Sequence, residues 1–308
     1  MAVRTVRAQI NGVWVNLTLN SSTGKYEATI AAPPITSFNL AGGYYPVTVE
    51  ATDLAGNVTT KNSSDSVLGQ SLRLRVKEIT PPTITITGPS TGSYVTNSAT
   101  PITFQLRDDN NGSGIALSTL KLNIDGNILT NTSPGMVLTS VQGGYNGTYT
   151  PPSALRDGVH NVTINVSDND GNAATAKSIS FTVDTVPPSL TVTNPSASTT
   201  YTNNSSLTVT GTTVDATSGP IKLDITVGST VHSNVTVNSN GSFSKVITLL
   251  NGSNVIKIKA TDKAGKHTEI TRTVILDTVA PTINKVIITP NPVNVNQSYK
   301  IEIEASDV

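Results

Sequence analysis

Cysteine is absent from the 308 residues. That excludes disulfides and thiolate metal sites and leaves the fold to hydrophobic burial. An excess of charge is absent too: 20 basic and 20 acidic residues cancel, with no basic block. A nucleic-acid partner, read through its phosphates, is therefore disfavoured. Aromatic residues make up only 4% of the chain, which suits thin, largely wet sheets better than the core of a large enzyme. No apolar run approaches the roughly 20 residues that carry a helix across a bilayer, so no membrane insertion is expected. Helix-period apolar patterns are missing as well, and turn signals recur throughout.

Catalytic motifs are also lacking. The sequence has no Gly-x-Ser-x-Gly elbow, P-loop or zinc-type histidine pair. Its three histidines, His160, His232 and His267, fall in separate strands or hairpins and read as surface residues. A non-enzyme that requires no cofactor is expected. The frequent Asn-x-Ser/Thr triplets follow from a composition rich in those residues and are not glycosylation evidence. The opening Met1–Arg7 alternates like a strand rather than a leader. Either an export signal was trimmed or the protein bypasses the secretory route.

What is present is punctuation. Asp184-Thr-Val-Pro-Pro188 has a near copy in Asp277-Thr-Val-Ala-Pro281 and a looser one in Glu78-Ile-Thr-Pro-Pro82. Each lies between two runs of alternating apolar residues. Proline removes a ladder donor and fixes φ, so paired prolines between strand patterns mark a crossing between modules. The spacings, 106 and 93 residues from proline to proline, predict modules over 1–78, 79–185 and 186–279, with the first strands of a fourth over 280–308. Two strands cannot bury a face, so a continuation past Val308 is expected. The strongest hairpin signal is Val3–Ile10, Asn11-Gly12, Val13–Leu19; Asp125-Gly126 is another. Trp14, the single tryptophan, is expected in the core of the first module.

One hairpin recurs near the end of each complete module: Ala51-Thr-Asp-Leu-Ala-Gly-Asn57, Val166-Ser-Asp-Asn-Asp-Gly-Asn172 and Ala260-Thr-Asp-Lys-Ala-Gly-Lys266. The Asp accepts from backbone donors just beyond it, and the Gly supplies positive φ. Lys266 in the third copy implies that its position does not require an amide. With the hinges and the loops Asp109-Asn-Asn-Gly-Ser-Gly114 and Asp215-Ala-Thr-Ser-Gly219, this pattern resembles bacterial immunoglobulin-like repeats over nearly the whole chain. The resemblance implies an all-β fold of tandem immunoglobulin-like β-sandwich domains. Such repeats serve as stalks of surface adhesins, accessory modules of secreted enzymes and decorations of phage virions. The first module, in Gly24-Lys-Tyr-Glu-Ala-Thr-Ile30 and Gly43-Tyr-Tyr-Pro-Val-Thr-Val49, is similar to immunoglobulin-like proteins carried by prophages of Gram-positive bacteria. That likeness implies a phage tail, with other tail or surface proteins and a host-surface glycan as partners. A bacterial-surface adhesin stalk and the accessory region of a polysaccharide-degrading enzyme are the alternatives.

Candidate site residues follow. Sugars stack on exposed rings, and Tyr44 and Tyr45 must face opposite sides of one strand. Tyr44 is the ligand candidate. In an immunoglobulin-like sandwich each hinge abuts the B–C and F–G loops of the next module. Around the second hinge this gathers Asp184, Asp215 and Asp262; around the first, Glu78, Asp108, Asp109, Asp168 and Asp170; around the third, Asp277 and Asp307. Converging carboxylates suit calcium at the module junctions, which it would stiffen. Asp168–Asn172 is not an EF-hand loop, since its glycine falls one place early. Turn capping explains the same residues.

Overall fold

The computed structural model describes residues 2–307. They fold into strands with a single 3₁₀ turn, Gly69–Leu72. The chain divides into two compact units, Met1–Ser93 with Ser98–Phe181, and Tyr94–Asn97 with Thr182–Val308.

Residues 1–78 begin with the anticipated hairpin: β1 (Val3–Ile10) and β2 (Val13–Asn20) pair from Val6↔Leu17 to Ile10↔Val13. Asn11 and Gly12 both have positive φ, 49° and 80°, as a type I′ turn requires. β3 (Lys25–Glu27), β4 (Tyr45–Asp53), β5 (Val58–Lys61) and β6 (Arg73–Leu74) complete the sheet, in the order β3-β2-β1-β4-β5 with β6 also on β4. No second sheet faces it among the described residues. Residues 28–44, interrupted by Pro33-Pro34 and Gly42-Gly43, form no strand. Trp14 is accordingly 37% exposed instead of buried. What covers its ring is Arg7, whose guanidinium carbon lies 4.4 Å from the ring centroid while Glu50 holds the same group at 2.7 Å. Register explains the contact: Gln9 sits directly opposite Trp14, so Arg7 is its diagonal neighbour on the same face.

The second module contains β7 (Thr83–Gly88), β8 (Tyr94–Val95), β9 (Ile102–Arg107), β10 (Ile115–Ile124), β11 (Asn127–Leu129), β12 (Met136–Val141), β13 (Gly144–Tyr149), β14 (Gly158–Asp168) and β15 (Lys177–Val183). They form two sheets, β12-β13-β9-β7 and β11-β10-β14-β15-β8. Side chains alternate across each strand. In β9, Ile102, Phe104 and Leu106 are buried while Thr103, Gln105 and Arg107 are half-buried; in β14, Val162, Ile164 and Val166 are buried.

The third module repeats the plan with β16 (Ser189–Asn194), β17 (Thr199–Thr202), β18 (Ser206–Val214), β19 (Lys222–Val227), β20 (Thr230–His232), β21 (Ser242–Thr248), β22 (Gly252–Thr261) and β23 (His267–Leu276). The sheets are β16-β18-β21 and β17-β23-β22-β19-β20. Between them lies a core built on Val209, Leu223, Ile225, Ile256, Ile258 and Val274, all fully buried. β24 (Thr282–Thr289) and β25 (Lys300–Ser306) pair as an exposed two-stranded ribbon.

Two regularities of these sandwiches have no counterpart in the sequence reading. The opening strand of each splits between sheets: β7 and β16 run antiparallel to β9 and β18, whereas the short β8 and β17 pair in parallel with β15 and β23. A polar group is also buried at the start of the strand before each recurring hairpin. It is Tyr45 in β4, whose hydroxyl donates to the Ile35 carbonyl at 3.0 Å. In β14 it is His160, placed between Asp125 Oδ2 at 2.6 Å and the Arg156 carbonyl at 2.8 Å. In β22 it is Asn254, whose amide donates to the carbonyls of Leu250 and Gly252 and whose Oδ1 accepts from the Leu250 amide. Each ties the strand to the chain just upstream, as the tyrosine corner of immunoglobulin folds does. His160 is therefore a buried structural residue, 7% exposed, and not the surface histidine its composition-based reading implies.

Candidate metal centre

The recurring hairpins place their aspartates alike. Asp53 and Asp168 end their strands and Asp262 directly follows β22; each accepts through Oδ1 from the backbone amide four residues on: Asn57 at 2.9 Å, Asn172 at 2.8 Å and Lys266 at 2.9 Å. Gly56, Gly171 and Gly265 sit at φ 90°, 98° and 86°, which a side chain would strain. The second oxygen separates the copies. Asp53 Oδ2 accepts from the Asn57 amide nitrogen at 2.8 Å, and Asp168 Oδ2 from that of Asn172 at 2.7 Å. Lys266 offers no such group, and Asp262 Oδ2 is buried with no hydrogen-bond partner. The amide position thus matters where it is filled, and its loss in the third copy leaves an open acceptor.

Two more carboxylates lie beside Asp262. One oxygen each of Asp184, Asp215 and Asp262 lies within 4.8 Å of the others. Asp184 follows directly on β15 and is fully buried; its Oδ1 accepts from the Val186 amide at 3.1 Å and its Oδ2 from the Ser218 hydroxyl. Asp215, just after β18, receives the amides of Thr217 and Ser218 on Oδ1 at 2.8 and 2.7 Å. Among the described residues no lysine, arginine or histidine forms an ion pair with any of the three. Burial, reinforced by the charges of Asp184 and Asp215, pushes the Asp262 carboxyl above its ordinary value.

Around the first hinge the acidic residues do different work. Asp168 is closed by Asn172, whose side chain also donates to the Glu78 carbonyl at 3.1 Å. Asp170 Oδ2 accepts from the Glu78 amide at 3.0 Å and from the Thr36 hydroxyl. Asp109 caps its own turn through the Asn111 amide at 2.9 Å. Glu78 and Asp108 do approach one another, crowding Gly112: a Cβ there would meet Asp108 Oδ2 at 2.6 Å and Glu78 Oε2 at 2.8 Å. Glu78 Oε1 accepts from the Ser113 amide, but Oε2 is buried without a partner. Burial raises the pKa of both groups; Asp108 and Asp168 add to it at Glu78, and Asp109 and Asp168 at Asp108. The structure therefore gathers Asp184, Asp215 and Asp262, and spends Asp109, Asp168 and Asp170 on backbone and side-chain donors. At the third hinge Asp277 accepts from the Val279 amide at 2.9 Å. Ser113 and Ser218 escaped the sequence reading, although both occupy the Ser-Gly step that ends each B–C loop.

Tyr44 and Tyr45 separate as their alternation requires: Tyr45 is buried and Tyr44 half-buried. The Arg73 guanidinium carbon lies 4.8 Å from the centroid of the Tyr44 ring. The tyrosine borders a groove of about 540 Å³ lined also by Gln9, Asn11, Leu40, Thr48 and Ser63.

Residues 76–185 match the family model of a bacterial Ig-like domain, and residues 188–278 match glucodextranase, domain B. No curated protein matches the chain. Among solved structures, the fibronectin(III)-like modules of Clostridium thermocellum CbhA are 17% identical, with 63% of this chain and 94% of that one covered and a TM-score of 0.36. Sidekick-1 immunoglobulin domains 1–5 are 11% identical, covering 99% of this chain and 60% of that one, with a TM-score of 0.40. A bacterial ice-binding adhesin is 18% identical over 89% of this chain and 86% of its own, with a TM-score of 0.29. The match over 76–185 and the paired strands agree that the chain is a tandem array of all-β, Ig-like domains.

Proposed function

We propose that the chain is a non-catalytic adhesive array exposed on a surface, which extends a terminal device and makes weak, repeated contacts with a glycan. The observation that carries this reading is the groove beside Tyr44: an aromatic edge with amide and hydroxyl groups around it is the chemistry that takes a sugar. With Arg73 stacked on Tyr44, little ring is left to bind a saccharide tightly. Avidity across copies would substitute for affinity. The likeness of the first module to prophage-borne proteins supports a phage tail as the location, with other tail proteins as partners. The bacterial Ig-like match supports a bacterial-surface stalk equally. Immunogold labelling with an antibody to the chain separates the two, since tails and cell envelopes are distinguished by eye.

The test of adhesion is a glycan array probed with the full chain, presented as a monomer and on a multivalent bead. Binding is expected only in the multivalent format and should be lost in Tyr44→Ala. Tight monomeric binding, or binding indifferent to Tyr44, would refute the proposal. A second reading, the accessory region of a polysaccharide-degrading enzyme, is favoured by the glucodextranase domain B match over 188–278. Retention on a polysaccharide matrix that survives Tyr44→Ala would favour it.

A further inference from the structure

We propose that Asp184, Asp215 and Asp262 form a calcium site in the third module, created there because Lys266 stands where the sister hairpins carry an asparagine. Geometry and an internal comparison carry the inference, which is independent of the adhesive reading. Three carboxylates offer one oxygen each within 4.8 Å of one another. Calcium takes six to eight oxygens at roughly 2.3–2.6 Å in flexible geometry, and such a spacing brackets an ion placed between them. Asp184 is 0% exposed and Asp262 6% exposed, so water cannot screen their repulsion.

The decisive atom is Asp262 Oδ2, buried and unpartnered. In the other two hairpins the equivalent oxygen is closed by an asparagine amide, at 2.8 Å from Asn57 and 2.7 Å from Asn172. In the third, the Lys266 backbone still caps Oδ1, Oδ2 is left without a partner, and one oxygen of Asp262 lies within 4.8 Å of an oxygen each of Asp184 and Asp215. Buried polar atoms are nearly always satisfied, so an orphaned carboxylate oxygen calls for a partner. An oxygen-only donor set that includes carboxylates favours a hard cation, and carboxylates brought from three separate segments suit calcium, which accepts irregular geometry, better than magnesium, which demands a near-ideal octahedron. Bound there, the ion would join the segment after β15, the loop after β18 and the hairpin between β22 and β23. The alternative occupant of the gap is a proton shared among the carboxylates.

Isothermal titration of the full chain with calcium chloride, near neutral pH after chelator treatment, tests this with two variants. Wild type should bind one ion per chain and melt at higher temperature with calcium than with chelator. Asp262→Asn should abolish that binding. Lys266→Asn, which supplies the closing amide and leaves every carboxylate in place, should weaken it at least tenfold; it guards against misfolding of the first variant, and circular dichroism checks both. No heat and no melting shift up to about 10 mM calcium, beyond the weakest extracellular calcium modules, would overturn the proposal. So would unchanged affinity in either variant. A calcium-insensitive melting temperature that falls as pH rises, and loses that slope in Asp262→Asn, would assign the gap to a shared proton instead.

Discussion

In both sandwiches a glycine sits under a phenylalanine ring directly across the strand pair, with the partners exchanged: Phe104 in β9 opposes Gly147 in β13, and Gly211 in β18 opposes Phe243 in β21. The rings are 1% and 2% exposed, so neither can swing into solvent. A Cβ on Gly147 would meet Phe104 Cζ at 2.2 Å. On Gly211 it would meet Phe243 Cζ at 2.6 Å and also the Thr191 carbonyl oxygen at 2.1 Å, and that oxygen belongs to the paired β16 backbone. Overpacking a buried site costs about 1–3 kcal/mol, and the lower chain entropy of unfolded alanine returns about 0.4–1 kcal/mol. A side chain yields more readily than a ladder, so Gly211→Ala should cost about 2–3 kcal/mol and Gly147→Ala about 1–2 kcal/mol. At about 4–8 °C per kcal/mol for a domain of this size, Gly211→Ala should lower the melting of the third module by roughly 8–24 °C. Differential scanning calorimetry of the full chain resolves this, because modules that unfold independently give separate transitions. Removing the ring should relieve the clash at the other site: Gly147→Ala combined with Phe104→Leu should cost less than the sum of the single changes. A Gly211→Ala protein melting within about 2 °C of wild type, less than ~0.5 kcal/mol, would refute the reasoning.

Asn254→Ala should destabilise the third module by about 1–3 kcal/mol, since it removes the buried carboxamide that pairs with the Leu250 amide and carbonyl and donates to the Val274 carbonyl; urea unfolding followed by circular dichroism reads the loss, and a cost below about 0.5 kcal/mol would show the corner to be dispensable. The raised carboxyls of Glu78, Asp108 and Asp262 set an unusual pH response. A raised folded-state pKa means that the native protein holds the proton more tightly than the unfolded chain. Their stabilisation is then complete below the ordinary values of 4.5 and 3.8 and is lost as pH rises through the folded-state values. In chelator, wild type should lose melting temperature on going from that acidic range towards neutrality relative to a Glu78→Gln, Asp262→Asn double variant; parallel curves would contradict the assignment.

Much of the architecture was legible because its signals are local. Asn11-Gly12 and Asp125-Gly126 turn the chain in positive φ whatever lies elsewhere. Ile102, Phe104 and Leu106 share one face of a strand by period alone. The recurring Asp and Gly mark one hairpin in every copy because both act within four residues. Expectations failed where a residue's surroundings come from distant chain. Trp14 carries the hydrophobicity of a core residue, but among the described residues no second sheet covers its strand. His160 reads as a surface residue from its own neighbourhood, and its burial depends on Asp125 across the sheet as well as on the Arg156 carbonyl. The short β8 and β17 carry too few residues to show a period and exist because a neighbouring strand offers its edge.

The acidic residues divide along the same line. Sequence alone determined that Asp53, Asp168 and Asp262 would cap turns, since donor and acceptor lie four residues apart on one hairpin. It also determined that Asp184, Asp215 and Asp262 belong to three loops at one end of a sandwich. Only the tertiary structure decided that their oxygens converge within 4.8 Å, that Asp168 is quenched by an amide while Asp262 is not, and that a serine hydroxyl completes Asp184. The physical reason is range: a turn is fixed by φ and a hydrogen bond to a neighbour, whereas the charge environment of a buried carboxylate is the sum of every group that packing brings within a few ångströms.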